Sequence, residues 1–150
     1  MLIPHVVQTE ADKVYVNVLN VQASSVTDGE VVVWDIVSPD GVRVTQAATD
    51  TLGLFVGLAQ GTIPASGYGL AQAYGYKSVG QFSTDTATAA APAGALLQPT
   101  AAVDYLSISA ATGVSAVLAA ASGAVGFCYA AEARTDTIAL ADTKVLIRAL

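Results

Sequence analysis

The sequence predicts an all-β domain, either a small β-barrel or a two-layer β-sandwich, made from two similar β-halves. Short runs rich in β-branched and aromatic residues recur along the chain, and turn signals separate them. One segment alternates strictly between large and small side chains, which is typical of a strand. The 150 residues are enough for one domain that buries a substantial core.

The first half contains the clearest strands. Residues 14–21 (VYVNVLNV) predict a strand because β-branched residues dominate them. Residues 31–37 are apolar on both faces apart from Asp35, so they predict a central strand. The sequence Ser-Pro-Asp-Gly at 38–41 predicts a turn, since proline fixes φ and glycine accepts positive φ. Residues 42–45 then return as the hairpin partner.

The middle of the chain carries the alternating segment. A strand at residues 54–59 and a loop at 61–67 precede it. From Tyr68 to Tyr76 the odd and even positions belong to opposite faces. One face presents Tyr68, Leu70, Gln72, Tyr74 and Tyr76. The other face is Gly and Ala, so another layer can approach its backbone closely.

The second half is less regular. Residues 83–95 are rich in Thr and Ala and predict a linker, and residues 112–121 predict a short helix or a loop. Residues 143–150 predict a terminal strand, with Lys144 and Arg148 on one face.

Three pairs of segments suggest an internal repeat. Residues 29–32 resemble 94–97, residues 41–44 resemble 105–108, and residues 55–59 resemble 124–128. The predicted organisation is therefore an N-terminal arm at 1–13 and a single β domain at 14–150, with halves at about 14–82 and 94–150.

Composition limits the function. Only 12% of residues are charged, against about 25% in an average soluble chain. This low charge leaves much neutral surface, which we expect other chains to cover. The net charge of −6 argues against a nucleic-acid partner. A single Cys and a single His argue against metal sites and most His-based catalysis, so no cofactor is expected.

The uncharged stretch at 105–131 is long enough to cross a bilayer. It contains several Ser, Thr and Gly residues and has no flanking Lys/Arg cluster, so we expect no membrane span. The N-terminus lacks the basic and apolar regions of a signal peptide.

Known catalytic motifs are absent from the sequence, including the nucleophile elbow and the P-loop. Asp28 and Asp40 each precede a glycine, which indicates turn chemistry. Asp35 lies inside an apolar strand and is expected to pair with Arg43 across the hairpin. Cys128, between two aromatic residues, is expected to be buried. The chain is therefore not expected to be an enzyme.

Several segments together resemble bacteriophage capsid decoration (cement) proteins. They are residues 18–21, 28–35, 56–59, 63–69, 125–127 and 145–148, which belong to a pattern covering about two-thirds of the chain. The resemblance implies a small β-barrel that forms homotrimers on the outer capsid surface. Such proteins are made in the host cytoplasm and lock neighbouring major capsid protein subunits against internal DNA pressure.

The resemblance gives roles to two sets of residues. The apolar arm would order on a capsid subunit by adding an edge strand; its residues are Leu2, Ile3, Pro4, Val6 and Val7. A second set would form the subunit interface or pack in the core: Tyr68, Tyr74, Tyr76 and Trp34.

Two other functions remain open. The same aromatic residues would suit a receptor- or glycan-binding virion module, associated with a tail or fibre, which predicts that they are exposed. A trimeric β-enzyme acting on a small phosphate would need phosphate-binding cations, and the chain has only six Lys and Arg residues.

Overall fold

The computed structural model describes residues 13–38, 40–48, 51–83, 91–100, 102–108, 128–133 and 141–149. The predicted arm, except for Lys13, and the segment 112–121 lie outside the described residues. The elements are β1 (Val14–Asn20), β2 (Val31–Trp34), β3 (Arg43–Thr45), a 3-10 helix (Leu52–Leu54), β4 (Phe55–Gln60), β5 (Tyr68–Ser83), β6 (Leu96–Pro99), β7 (Leu106–Ile108), β8 (Cys128–Ala130) and β9 (Ala141–Arg148). The predicted all-β class is confirmed.

Strand pairing produces two rings that share one strand. The sheet order is β1-β3-β2-β4-β5-β7-β6-β8-β9, and β5 pairs in addition with β1 and with β9. The first ring therefore consists of β1 to β5, and the second ring of β5 to β9. Every strand in the described part of the chain has a neighbour on both sides, but the β1–β3 and β5–β7 contacts cover only two residue pairs each. Residues 14–18 of β1 therefore pair on one side only, with β5.

The two rings have the same connectivity. In each, the first strand in sequence pairs in parallel with the third over only two residue pairs (β1 with β3, β5 with β7). All other pairings in both rings are antiparallel. The strand order shows the correspondence: β2 matches β6, β3 matches β7, and β4 matches β8. The three segment pairs aligned from the sequence fall on these counterpart strands, although residues 124–127 lie outside the described residues. The prediction of two similar halves is confirmed.

The 16-residue β5 serves both rings because it changes direction at two irregularities. Opposite β1, the register shifts between Val14 and Tyr15. Opposite β9, it shifts between Lys77 and Gly80. Bulges of this kind bend a strand and increase its twist. The predicted strand ended at Tyr76, but β5 continues to Ser83 since β9 and β7 supply partners for its second half.

The β2 strand is shorter than predicted and ends at Trp34. The Asp35 Oδ1 atom accepts a hydrogen bond from the Val37 backbone N–H at 3.0 Å. This local bond offers the backbone an alternative to the sheet, so residues 36–38 bend away.

Two apolar clusters form the core. The interior of the first ring is small and rich in valine: Val18, Val26, Val32, Val44, Val56, Ala59, Ile63 and Ala71. The second cluster contains the interior of the second ring, including Phe82, Leu97, Leu106, Cys128 and Ile147. It also takes in the opposite faces of β2 and β4, through Val31, Val33, Phe55 and Leu58. One core thus joins the outside of the first ring to the inside of the second.

Candidate functional site

A continuous exposed apolar surface lies on β1, β5 and β9. We call it the tyrosine face, and its members are Tyr15, Tyr68, Leu70, Tyr74, Tyr76 and Leu146. Their side chains are between 40% and 64% exposed. A whole aromatic residue has a surface of about 150–250 Å². Six residues that are each about half exposed therefore give a face on the order of 500 Å². That is at the upper end of the largest apolar patches found on monomeric proteins, which are often functional.

The register extends this face across the second ring. Tyr76 is paired with Leu146 on β9, and Leu146 is paired with Tyr129 on β8. Tyr129 is in turn paired with Leu96 on β6. Directly paired residues point to the same side of a sheet, so the four side chains form one row across four strands. Tyr129 and Leu96 are half-buried, whereas Tyr76 and Leu146 are more exposed.

Gln72 departs from the predicted alternation. It belongs by sequence to the tyrosine face, but its side chain is only 1% exposed. Its Nε2 atom donates to the backbone carbonyls of Tyr74 at 3.1 Å and Tyr76 at 3.0 Å. The Gln72 amide therefore lies along its own strand and supplies hydrogen bonds to two backbone carbonyl groups beside the register shift.

The glycine side of β5 is closely packed, as predicted. A Cβ atom on Gly69 would lie 2.6 Å from Ile63 Cγ1. On β4, a Cβ atom on Gly57 would lie 2.2 Å from the Gln72 carbonyl oxygen. These contacts leave no space for a side chain, which explains why the tyrosines at positions 68, 74 and 76 of β5 point outward.

The tyrosines of the proposed interface set are exposed, so the prediction that they pack in the core is wrong for Tyr68, Tyr74 and Tyr76. Their alternative, a subunit interface, remains a prediction. Trp34 lies elsewhere, at the end of β2, where it is half-buried and packs against the first-ring cluster. The sequence placed all four together because it could not show that β2 and the first half of β5 are separated by β4.

Trp34 lines a second apolar surface, a cavity of about 310 Å³. The other lining residues are Asp35, Ile36, Gly41, Arg43 and Leu54. Ile36 is 48% exposed and Leu54 36% exposed, so the cavity opens to solvent. Its volume is at the lower end of the range of small-molecule pockets. We call this surface the Trp34 cavity.

Charges differ between the two surfaces. Beside the Trp34 cavity, Arg43 forms an ion pair with Asp40 at 2.9 Å, and not with Asp35 as predicted. The Asp40 carboxylate also accepts from the backbone N–H groups of Val42 and Arg43, which hold its pKa below the usual range. These two backbone hydrogen bonds hold the Asp40 carboxylate beside Arg43, which explains the change of partner.

Cations border the tyrosine face. Arg148 is paired with Tyr74 in the β5–β9 register and is exposed. Lys144 lies on the same face of β9 and forms an ion pair with Glu132 at 2.9 Å. The Glu132 carboxylate raises the pKa of Lys144, through a hydrogen bond and through its charge. Arg148 is therefore the cation beside Tyr74, because Glu132 neutralises Lys144, whereas the Trp34 cavity has Asp35 as a carboxylate in addition to the Arg43–Asp40 pair.

One buried ion pair connects β5 to the loops of the first ring, and the sequence did not reveal it. Lys77 is only 4% exposed, and its Nζ atom lies 2.8 Å from Asp28 Oδ1 and 2.9 Å from Gln60 Oε1. Asp28 also accepts from the Gly61 backbone N–H at 2.9 Å. Burial raises the pKa of Asp28, but Lys77 and the Gly61 N–H lower it further, so it lies below the usual range. The Asp28-Gly29 pattern predicts the turn, but it carries no signal of Lys77, which lies 49 residues away.

Cys128 and the acidic side chains were the remaining candidates for reactive or metal-binding groups. Cys128 is buried as predicted, and burial raises the pKa of its thiol strongly. Among the described ranges, no three His, Cys, Asp or Glu side chains lie close enough to hold a metal ion. No helix in the part of the chain that the structure describes is long and apolar enough to cross a membrane. The arm residues Leu2, Ile3, Pro4, Val6 and Val7 lie outside the described residues.

Comparisons of the chain with protein-family models, with curated proteins and with solved structures found no match.

Proposed function

We propose that this chain is a non-enzymatic virion structural protein of a bacteriophage. It binds the outer surface of the capsid as a homotrimer and cements neighbouring major capsid protein subunits. The observation that carries the proposal is the exposed tyrosine face on a chain of unusually low charge. The resemblance of its strand and turn segments to capsid decoration proteins supports the same function.

The surface chemistry favours a permanent protein partner. A face on the order of 500 Å² approaches the ~800 Å² that each partner buries in a standard interface. Tyrosine is also enriched at the centres of protein interfaces, where its ring is buried and its hydroxyl stays hydrated.

The net charge favours a position outside the capsid shell. A chain with a net charge of −6 is repelled by packaged DNA and gains nothing from its phosphates. The apolar arm at residues 1–13 supplies the capsid contact in this proposal, through Leu2, Ile3, Pro4, Val6 and Val7. Three arms on one trimer bind with multivalent gain, since each attachment raises the effective concentration of the next.

The proposal is tested by co-sedimentation with capsids assembled from the major capsid protein of the virus that encodes the chain. We expect the full-length protein to pellet with capsids and a chain lacking residues 1–8 to stay in the supernatant. A circular dichroism spectrum of the truncated chain serves as the control for folding. Failure of the full-length protein to pellet, at concentrations where it is folded, rejects the proposal.

A second function is favoured by the exposure of Tyr68 and Tyr74, whose rings are accessible for stacking. In that alternative the chain is a receptor- or glycan-binding virion module. A glycan array separates the two functions. The binding module is supported if a glycan binds the full chain and the chain lacking residues 1–8 but does not bind the Tyr74→Ala variant. If no glycan binds, this alternative function is rejected.

A further inference from the structure

The two exposed apolar surfaces are complementary to one another. We infer that the tyrosine face of one copy docks into the Trp34 cavity of the next copy, so that each chain contacts its neighbours through two different surfaces. The inference rests on the proposed function, because it specifies the contact that builds the trimer. It unites the four residues that the sequence placed together, since Trp34 meets the tyrosines of the adjacent subunit.

The first argument is symmetry. A closed ring of three chains requires a heterologous contact, in which one patch meets a different patch of the next chain. A single self-complementary patch gives dimers instead. This chain carries two separate apolar surfaces, one on β1, β5 and β9 and one at the end of the β2–β3 hairpin.

The second argument is size. A closed apolar cavity of about 150 Å³ holds a benzene molecule. The Trp34 cavity, at about 310 Å³, therefore has room for one tyrosine ring and part of a neighbouring side chain. Tyr76 suits this role because it is 44% exposed and stands at the end of the row that continues through Leu146. An offset or edge-to-face contact between Tyr76 and Trp34 adds to the burial of apolar area.

The third argument is charge. Arg148 borders the tyrosine face beside Tyr74, whereas Lys144 is paired with Glu132. Asp35 lines the Trp34 cavity, whereas Asp40 is paired with Arg43. Docking brings Arg148 of one chain against Asp35 of the next. Opposite charges at the rim set the register of such a contact and favour it over tyrosine face against tyrosine face.

The test uses two single variants on exposed side chains, Tyr76→Asp on the tyrosine face and Ile36→Asp at the mouth of the Trp34 cavity. Solution mass is measured by light scattering for each variant alone and for an equimolar mixture. Ala93→Asp is the control, because it adds the same charge at an exposed turn outside both surfaces. Circular dichroism checks folding, and Leu54→Asp replaces Ile36→Asp if the latter does not fold.

We expect the wild type and the control to have a mass near three times 15.1 kDa, and each variant alone to be a monomer. The mixture should form a heterodimer, because each variant retains the surface that the other lacks. No contact of a surface with itself gives that result. A variant that stays trimeric, a mixture that stays monomeric, or a monomeric wild type overturns the inference.

The only tryptophan of the chain gives an independent readout. Because Trp34 lines the cavity, its emission should shift to longer wavelength when Tyr76→Asp exposes it to water. Tyr76→Phe keeps the ring and should keep both the mass and the emission of the wild type. Equal emission from wild type and Tyr76→Asp contradicts the inference. Capsid co-sedimentation is measured separately, so the proposed function can hold when this contact fails.

Discussion

The two rings share a connectivity but differ in how their cores are built. The first ring encloses its own cluster, whose largest member is Ile63 and whose other members are Val and Ala. The second ring has larger core residues, such as Phe82 and Leu97, and shares its cluster with the outer faces of β2 and β4. Two rings with the same strand connectivity can therefore depend on different core contacts for their stability. The second ring requires the first as a packing partner, whereas the interior of the first ring is self-contained.

The largest expected effect is from Phe82→Ala in the shared core. Phe82 is 1% exposed, and its truncation should lower the free energy of unfolding by about 4 kcal/mol. Val18→Ala is the comparison change in the first-ring interior and should cost about 2 kcal/mol, since it removes two buried carbons where Phe82→Ala removes the whole ring. Urea unfolding followed by circular dichroism measures both. A loss from Val18→Ala as large as that from Phe82→Ala would show that the first-ring interior is the more sensitive core and would contradict this ranking.

Gly57→Ala tests the close contact between β4 and β5 inside the first ring. The new Cβ atom would meet the Gln72 carbonyl oxygen at 2.2 Å, and both groups belong to paired strands. We expect a loss of about 3 kcal/mol because backbone has to move. Gly41→Ala is the control: Gly41 also has positive φ, +75°, but no atom lies within 4 Å of its added Cβ. The control should cost about 1 kcal/mol. A similar cost for both variants would contradict the contact argument.

The buried ion pair between β5 and the first-ring loops should respond unequally to removal of its two partners. Asp28→Ala leaves the Lys77 ammonium buried with only Gln60 as a partner, and we expect a loss of about 2 kcal/mol. Lys77→Met keeps an apolar side chain in place and leaves Asp28, which is 43% exposed, to be hydrated. That variant should lose less than about 1 kcal/mol. A larger loss for Lys77→Met than for Asp28→Ala would reject this account.

The same pair predicts a pH dependence. The pKa of Asp28 in the folded chain lies below 3.8, its ordinary value. The carboxylate therefore adds stability above pH 3.8, and this contribution is lost as the pH falls through the folded pKa. Thermal unfolding between pH 2 and 5 should show a steeper loss of stability for wild type than for Asp28→Ala. Parallel curves would assign the acid sensitivity to other groups.

The smallest effect is expected at Asp104, where the loop between β6 and β7 contacts the first ring. Its backbone carbonyl accepts from the Val31 N–H at 2.8 Å, and its side chain accepts from Gln46 at 2.9 Å. Burial raises the pKa of Asp104, and the nearby Glu30 adds to the shift, so the ionised form is disfavoured on folding. Asp104→Asn should therefore increase stability at pH 7 by about 1 kcal/mol or less, and the gain should vanish below pH 4. A loss at pH 7 would contradict this prediction.

Much of the candidate site could be predicted from local pattern. The alternation from Tyr68 to Tyr76 predicted which side chains share a face, and the tyrosines are exposed together. Local pattern failed at Gln72, where a side chain folds onto its own strand beside a register shift. It also failed for Trp34, since the relation between β2 and β5 depends on the strand order.

The amino-acid sequence by itself determined the all-β class, most of the strands and turns, and the repetition of the two halves. Those features arise from β-branched runs, Asp-Gly and Pro-Asp-Gly turns and side-chain alternation, which act over a few residues. Only the tertiary structure decided that β5 belongs to both rings, that Lys77 pairs with Asp28, and that the tyrosines and Trp34 lie on separate surfaces. Each of these depends on contacts between distant segments, which form because closing both rings around β5 buries the two apolar clusters together.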